Sequence, residues 1–299
     1  MFALIESMRP RQWTKNLIVF AGVIFARKLG DWDSVALSFV AFAVFCFLSS
    51  STYLINDLAD ASRDREHPVK RRRPIASGRL SVPVAWAAAV LLALFSFALA
   101  LTLRRLGPLG EAGGSGFLLV AAAYYLLNLA YSFLLKHLVI LDVFSVATGF
   151  VLRAAGGAVA IRVEISPWLL VCTILLALFI ALSKRRHELV LLEGDATGHR
   201  RSLAEYSPYL LDQMISVVTA STVMAYALYT MHADTVKKVG SNHLVFSLPF
   251  VIFGIFRYLY LVHRKSEGGS PERVLVSDVQ FVINILLWLA TIGIVLYWR

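Results

Sequence analysis

Asn56-Asp57-Leu58-Ala59-Asp60-Ala61-Ser62-Arg63-Asp64 closes an apolar run that begins near residue 34, and Lys70-Arg71-Arg72-Arg73 follows close behind. An α-helix turns about 100° per residue, which sets Asn56, Asp60, Asp64 and Asp57 at about 0°, 40°, 80° and 100° on one face. Three carboxylates gathered within about two turns repel one another unless cations neutralise them. An all-oxygen donor set favours Mg²⁺, which ordinarily also keeps phosphate oxygens and waters. Ionisable groups at membrane helices are costly to place and usually functional. The competing account is a solvated helix end that is acidic by chance. An acidic helix mouth with a basic loop behind it predicts a divalent metal and a phosphorylated substrate, with Asn56, Asp57, Asp60 and Asp64 as metal ligands and the three aspartates as the catalytic residues.

The rest of the chain says what surrounds that helix. Of 299 residues, 58% are hydrophobic and only 16% charged, with a mean hydropathy of +0.70, the signature of a polytopic, all-α membrane protein. Apolar segments fall at about 14 to 27, 34 to 57, 81 to 103, 116 to 135, 138 to 161, 167 to 187, 209 to 231, 244 to 264 and 277 to 298. They predict nine membrane helices. The first is the weakest, because Leu17 to Ala26 alone is too short to span as an α-helix and needs Trp13, Lys15 and Asn16 to extend it.

Charge bias supports that segment. With nine helices and the N-terminus inside, 20 of the 29 Lys and Arg residues fall on the cytoplasmic side, 8 fall outside and Arg153 lies within a helix. Cytoplasmic loops collect Lys and Arg. Were the first segment not to span, the loop from Leu58 to Leu80, with its seven basic residues, would be exported. A plasma-membrane, multi-pass topology with the site on the cytoplasmic side follows. The same bias explains the formal net charge of +10 without nucleic acid. Met1 to Pro10 is too short and polar for a signal core, so the first helix is expected to stay in the mature protein. Cys46 and Cys172 read as packing residues, the Gly107 to Gly116 stretch as an external loop, and residues 1-299 as one membrane domain. His67, His137, His187, His199 and His243 sit near helix ends or in loops and read as structural or solvated.

In this topology the second and sixth helices both end on the cytoplasmic side. The sixth ends in Ser183-Lys184-Arg185-Arg186-His187-Glu188, with Lys184 and Glu188 as i, i+4 neighbours. One account is an ordinary stop-transfer cluster. The other is a basic, phosphate-binding half of a polar cavity whose acidic half carries the metal.

These motifs resemble the UbiA-type superfamily of intramembrane prenyltransferases, whose first signature is the NDxxDxxxD seen from Asn56 to Asp64. Arg73-Pro74-Ile75-Ala76-Ser77-Gly78 is similar to the RPxxxG that follows it there, and Tyr131-Ser132 with Lys136 resembles a conserved cytoplasmic loop. The resemblance implies nine helices around a central cavity open to the cytoplasm and Mg²⁺ as cofactor. Most members carry a second DxxxD motif on the sixth helix, where this chain has Lys184-x-x-x-Glu188. That departure, with Arg9-Pro10-Arg11-Gln12-Trp13-Thr14-Lys15-Asn16, His67-Pro68 and Gly254-Ile255-Phe256-Arg257-Tyr258-Leu259-Tyr260, resembles the decaprenyl-phosphate phosphoribosyltransferase branch. In that branch phosphoribosyl diphosphate is the donor and a polyprenyl monophosphate the acceptor, a step toward lipid-linked arabinose for cell-wall arabinan.

The residues make chemical sense of such a pair. A metal on the aspartates would stabilise the leaving diphosphate. Lys70 and Arg73 could help from the loop, and Lys184 and Arg185 suit a phosphate better than a second carboxylate pair would. Lys15, Asn16, Asn56, Tyr131, Lys136 and Glu188 complete the expected substrate-binding set. Arg153, about 20 Å into the fifth helix, is expected to bind phosphate or to pair with an acid such as Asp142. Asp212, Gln213 and Arg257 are weaker candidates, and Tyr124, Tyr125 and Tyr131 more often mark packing. An ordinary prenyltransferase with an aromatic or haem-like acceptor, and a transporter with an intramembrane cation site, are the alternatives. The helix pattern leaves a homo-oligomer open.

Overall fold

The structure, a computed structural model, describes residues 2–66, 68–106, 111–164, 166–191, 203, 205–264 and 277–298. Every regular element among them is helical. Among the described residues eight helices are long and apolar enough to cross a membrane: Trp32–Ala59, Val82–Leu103, Gly116–Phe133, Leu141–Ala160, Pro167–Val190, Pro208–Met231, His243–Arg264 and Val279–Tyr297. The all-α, multi-pass reading holds; the count of long apolar helices is eight where nine were expected.

The difference lies in the first segment, which is an 11-residue 3-10 helix, Pro10–Phe20, continued by a five-residue α-helix, Ala21–Phe25. A 3-10 helix rises about 2.0 Å per residue and an α-helix about 1.5 Å, so the pair extends about 30 Å, the thickness of the hydrocarbon core. The tighter winding supplies the reach that residue count denied. It packs on Trp32–Ala59 and Leu141–Ala160, and glycine makes the crossing close. A Cβ on Gly157 would run into the Val19 carbonyl oxygen and come within 2.7 Å of its carbon, and one on Gly22 would meet Ala158 at 3.0 Å.

Residues up to 164 form one compact unit and those from 166 onward another. In the first, the central helix Trp32–Ala59 is capped by Asp31, whose carboxylate accepts from Asp33 N. Its 28 residues extend about 42 Å, about 12 Å more than the hydrocarbon needs. The surplus carries Asn56 and Asp57 toward an aqueous face. Phe45, Leu48, Phe117, Tyr124 and Val19 build the inner core, Phe45 meeting Phe117 and Tyr124 edge to face. A second cluster, Leu54, Ile55, Ile75, Leu80, Ala85 and Ala89, lies beneath the acidic end. In the second unit Pro167–Leu191 packs on Pro208–Met231, and Leu248–Arg264 on Val279–Tyr297. Of the stretch read as an external loop, 107–110 lies outside the described residues and Glu111 already begins a helix, Glu111–Phe133.

Candidate functional site

The central helix passes through Asp60 into a short helix, Ala61–Glu66. Helical bonding survives the junction: Asp60 N donates to Asn56 O at 3.0 Å and Asp64 N to Asp60 O at 2.8 Å. Behind it Arg73-Pro74-Ile75-Ala76-Ser77-Gly78 is a tight turn. Ser77 N donates to Arg73 O, Gly78 N to Ile75 O and Leu80 N to Pro74 O, with Gly78 at φ 78, a conformation that glycine adopts without strain. Ile75 and Leu80 are buried beneath it, which pins Arg73 over the carboxylates.

The four motif residues sort into two pairs, each bridged by one cation. Arg73 Nη1 donates to Asp57 Oδ1 at 3.0 Å and to Asp64 Oδ2 at 2.7 Å. Lys136 Nζ donates to Asp60 Oδ1 at 2.6 Å and to Asn56 Oδ1 at 3.3 Å. Residues seven apart stand nearly above one another on a helix and residues four apart are neighbours. The single face expected from the numbering is thus divided by its counter-ions. Burial pushes the Asp64 carboxyl above its usual range, against the pull of Arg73 and with the help of the Asp57 charge.

A third cation comes from a residue given no role in the sequence reading. Arg9 Nη2 donates to Asp57 Oδ1 at 2.6 Å, with its guanidinium 5.1 Å from the centre of the Tyr53 ring. Its backbone is left-handed, φ 54 and ψ 59, a conformation that non-glycine residues hold only when their surroundings impose it. Those surroundings are on the central helix: Trp13 Nε1 donates to Ser50 Oγ, which donates in turn to Met8 O. The signal in the sequence was Arg9-Pro10, a helix start with proline in its first turn.

Among the described residues no group of three or more His, Cys, Asp or Glu is gathered to hold a metal ion. The donors still fit Mg²⁺, because that ion is usually held by one or two carboxylates together with phosphate oxygens and waters. Each bridging nitrogen already marks a place where one positive charge is shared between two oxygen donors.

Other expected residues are placed differently. Asn16 is buried, donating to Cys46 Sγ and Ser49 Oγ, and Lys15 donates to Gln12. Arg153 is buried, donates to the Tyr124 hydroxyl at 2.7 Å and lies against the Tyr124 and Phe150 rings. These partners are aromatic residues rather than Asp142. Tyr131 and Lys70 are half-buried, and the Lys70 charge acts on Asp64. In the second unit Arg185 is buried and pairs with Glu188, whereas Lys184 is half-buried. Arg186 holds Asp212, and Arg257 grips Asp278, the cap of the last helix, with two hydrogen bonds. His67 and His199 lie outside the described residues.

The sequence profile of the UbiA prenyltransferase family matches residues 16–286. The chain belongs to that family. This UbiA-family chain is similar to the decaprenyl-phosphate phosphoribosyltransferase of Mycolicibacterium smegmatis, 36% identical over 98% of this chain and 92% of that protein. It is 34% identical to the protein of the same name from Corynebacterium glutamicum, over 98% of this chain and 86% of that one. A UbiA homologue from Archaeoglobus fulgidus, solved with GPP and Mg²⁺, shares the fold with a TM-score of 0.73 at 19% identity, covering 98% of this chain and 99% of that one.

Proposed function

We propose that the chain transfers 5-phosphoribose from phosphoribosyl diphosphate to a polyprenyl monophosphate, decaprenyl phosphate by likeness to its named relatives. The observation that carries this is 34–36% identity over nearly the whole chain to proteins named for that activity. Lys184 and Glu188 in place of a second acidic pair support it. The family match crosses both compact units, which supports reading residues 1–299 as one functional domain. The charge bias of the loops favours a plasma-membrane protein with its N-terminus and site on the cytoplasmic side.

Asn56, Asp57, Asp60 and Asp64 would hold Mg²⁺, which when bound supplies charge stabilisation to the departing diphosphate. Arg9, Arg73 and Lys136 converge on the same carboxylates and are placed to donate to diphosphate oxygens, with Lys70 beside them. Lys184 and Arg185 are assigned to a phosphate by charge alone. In the reaction the bond from C1 to the diphosphate oxygen breaks and a bond from C1 to a phosphate oxygen of the lipid forms, with inversion at C1. The acceptor is already ionised, so the site needs no strong general base.

The test is incubation of the detergent-purified protein with Mg²⁺, phosphoribosyl diphosphate labelled in the ribose and a polyprenyl monophosphate. Label extracted with the lipid and lost with EDTA is the expected result. Turnover only with a prenyl diphosphate and an aromatic acceptor would replace the proposal with that alternative.

A further inference from the structure

We infer that Arg9, Arg73 and Lys136 are internal counter-ions which the donor's diphosphate must draw away before a divalent ion is held, so that metal and diphosphate bind as a coupled pair. The inference rests on the metal-site reading above and extends it to the order of binding.

Three carboxylates, Asp57, Asp60 and Asp64, face three basic side chains, and each carboxylate accepts from at least one of them. The three carboxylates are therefore already offset by cations without a metal, and the Lys70 charge adds to them at Asp64. The cations are not merely nearby. Arg73 Nη1 and Lys136 Nζ each bridge a pair of donor residues, engaging one oxygen of each donor in competition with a metal. A divalent ion arriving alone must displace these groups into a site where Asp57, Asp64 and Lys136 are nearly closed to water, and uncompensated charge there is expensive. A diphosphate removes the difficulty. It brings more negative charge than one divalent ion brings positive, and its oxygens accept the guanidinium and ammonium hydrogens released from the carboxylates. It also supplies the ligands that the protein lacks, since no group of three His, Cys, Asp or Glu is preassembled among the described residues.

Exposure differs among the three. The Arg9 and Arg73 side chains are 22% and 27% exposed, and that of Lys136 is 3% exposed. The arginines are open to the incoming phosphate, while the buried Lys136 can give up Asn56 and Asp60 only to a phosphate oxygen brought beside it. Lys136 is thus the principal competitor of the metal at Asn56 and Asp60.

The test is equilibrium dialysis of the full-length protein in detergent against radioactive Mn²⁺, with and without inorganic diphosphate, counting metal retained with the protein. In the wild type, diphosphate should tighten Mn²⁺ retention by about tenfold or more, within the usual range of coupling between two sites. Lys136→Gln should retain Mn²⁺ without diphosphate and lose most of the coupling; Arg9→Gln, at a more exposed position, repeats the test. Equal Mn²⁺ affinity with and without diphosphate in the wild type, or full coupling in both variants, would overturn the inference and leave the metal site standing. No retained Mn²⁺ under either condition would overturn the metal-site reading and this inference with it.

Discussion

Arg9→Gly separates what Arg9 does for the fold from what it does for the site. The left-handed backbone at φ 54 costs a non-glycine residue about 1 kcal/mol, which glycine relieves. Glycine's freedom in the unfolded chain returns about 0.5–1 kcal/mol of that. The lost bond to Asp57 is charge-assisted, a class that contributes about 1.5–3 kcal/mol. Here it is discounted toward about 1 kcal/mol, because the Arg9 side chain is 22% exposed and Asp57 keeps Arg73. The net change in stability is about 1 kcal/mol, a shift of about 2–4 °C in Tm for a chain near this size. Turnover should respond far more. Losing one charge-assisted contact to the diphosphate removes about 1.5–3 kcal/mol from the transition state, or about 10- to 150-fold in kcat/KM. Label transfer to lipid and thermal unfolding in detergent, measured on one preparation, give both quantities. Wild-type turnover in Arg9→Gly would refute its assignment to the diphosphate, and a collapse of Tm would show that its role is structural.

Asp60→Asn should fold, retain no Mn²⁺ and lose lipid-soluble label by about 100-fold or more, a drop typical of lost transition-state electrostatics; a near wild-type rate would remove Asp60 from the site. Gly157→Ala should destabilise the first unit by about 1–3 kcal/mol by forcing Val19 away. Gly293→Ala, with nothing within 4 Å of its Cβ, should be neutral or gain about 0.5–1 kcal/mol, and equal melting of the two would sink the packing argument. Lys184→Asp should abolish label transfer, and a gain of prenyl diphosphate turnover would revive the prenyltransferase alternative.

Much of the candidate cluster was legible because motif spacing is local. Asn56 to Asp64 lie within about two and a half helical turns, so their proximity follows from the helix itself. Lys136 was found by resemblance, and the structure brings it to Asp60 from 76 positions away. Arg9-Pro10 marks a helix start, but no local pattern shows that Arg9 faces an acid 48 residues later. Arg153 was read from depth alone, and depth does not reveal that Tyr124 and Phe150 surround it.

Composition, apolar periodicity and the acidic motif by themselves determined an all-helical, multi-pass membrane protein with a carboxylate-rich helix end, because each is a property of short windows of chain. Only the tertiary structure decided that the first segment is wound as a 3-10 helix against Gly157, and that Arg9, Arg73 and Lys136 are the cations that pair with the carboxylates. Close approach and charge pairing depend on which distant backbones meet, and that is settled by packing.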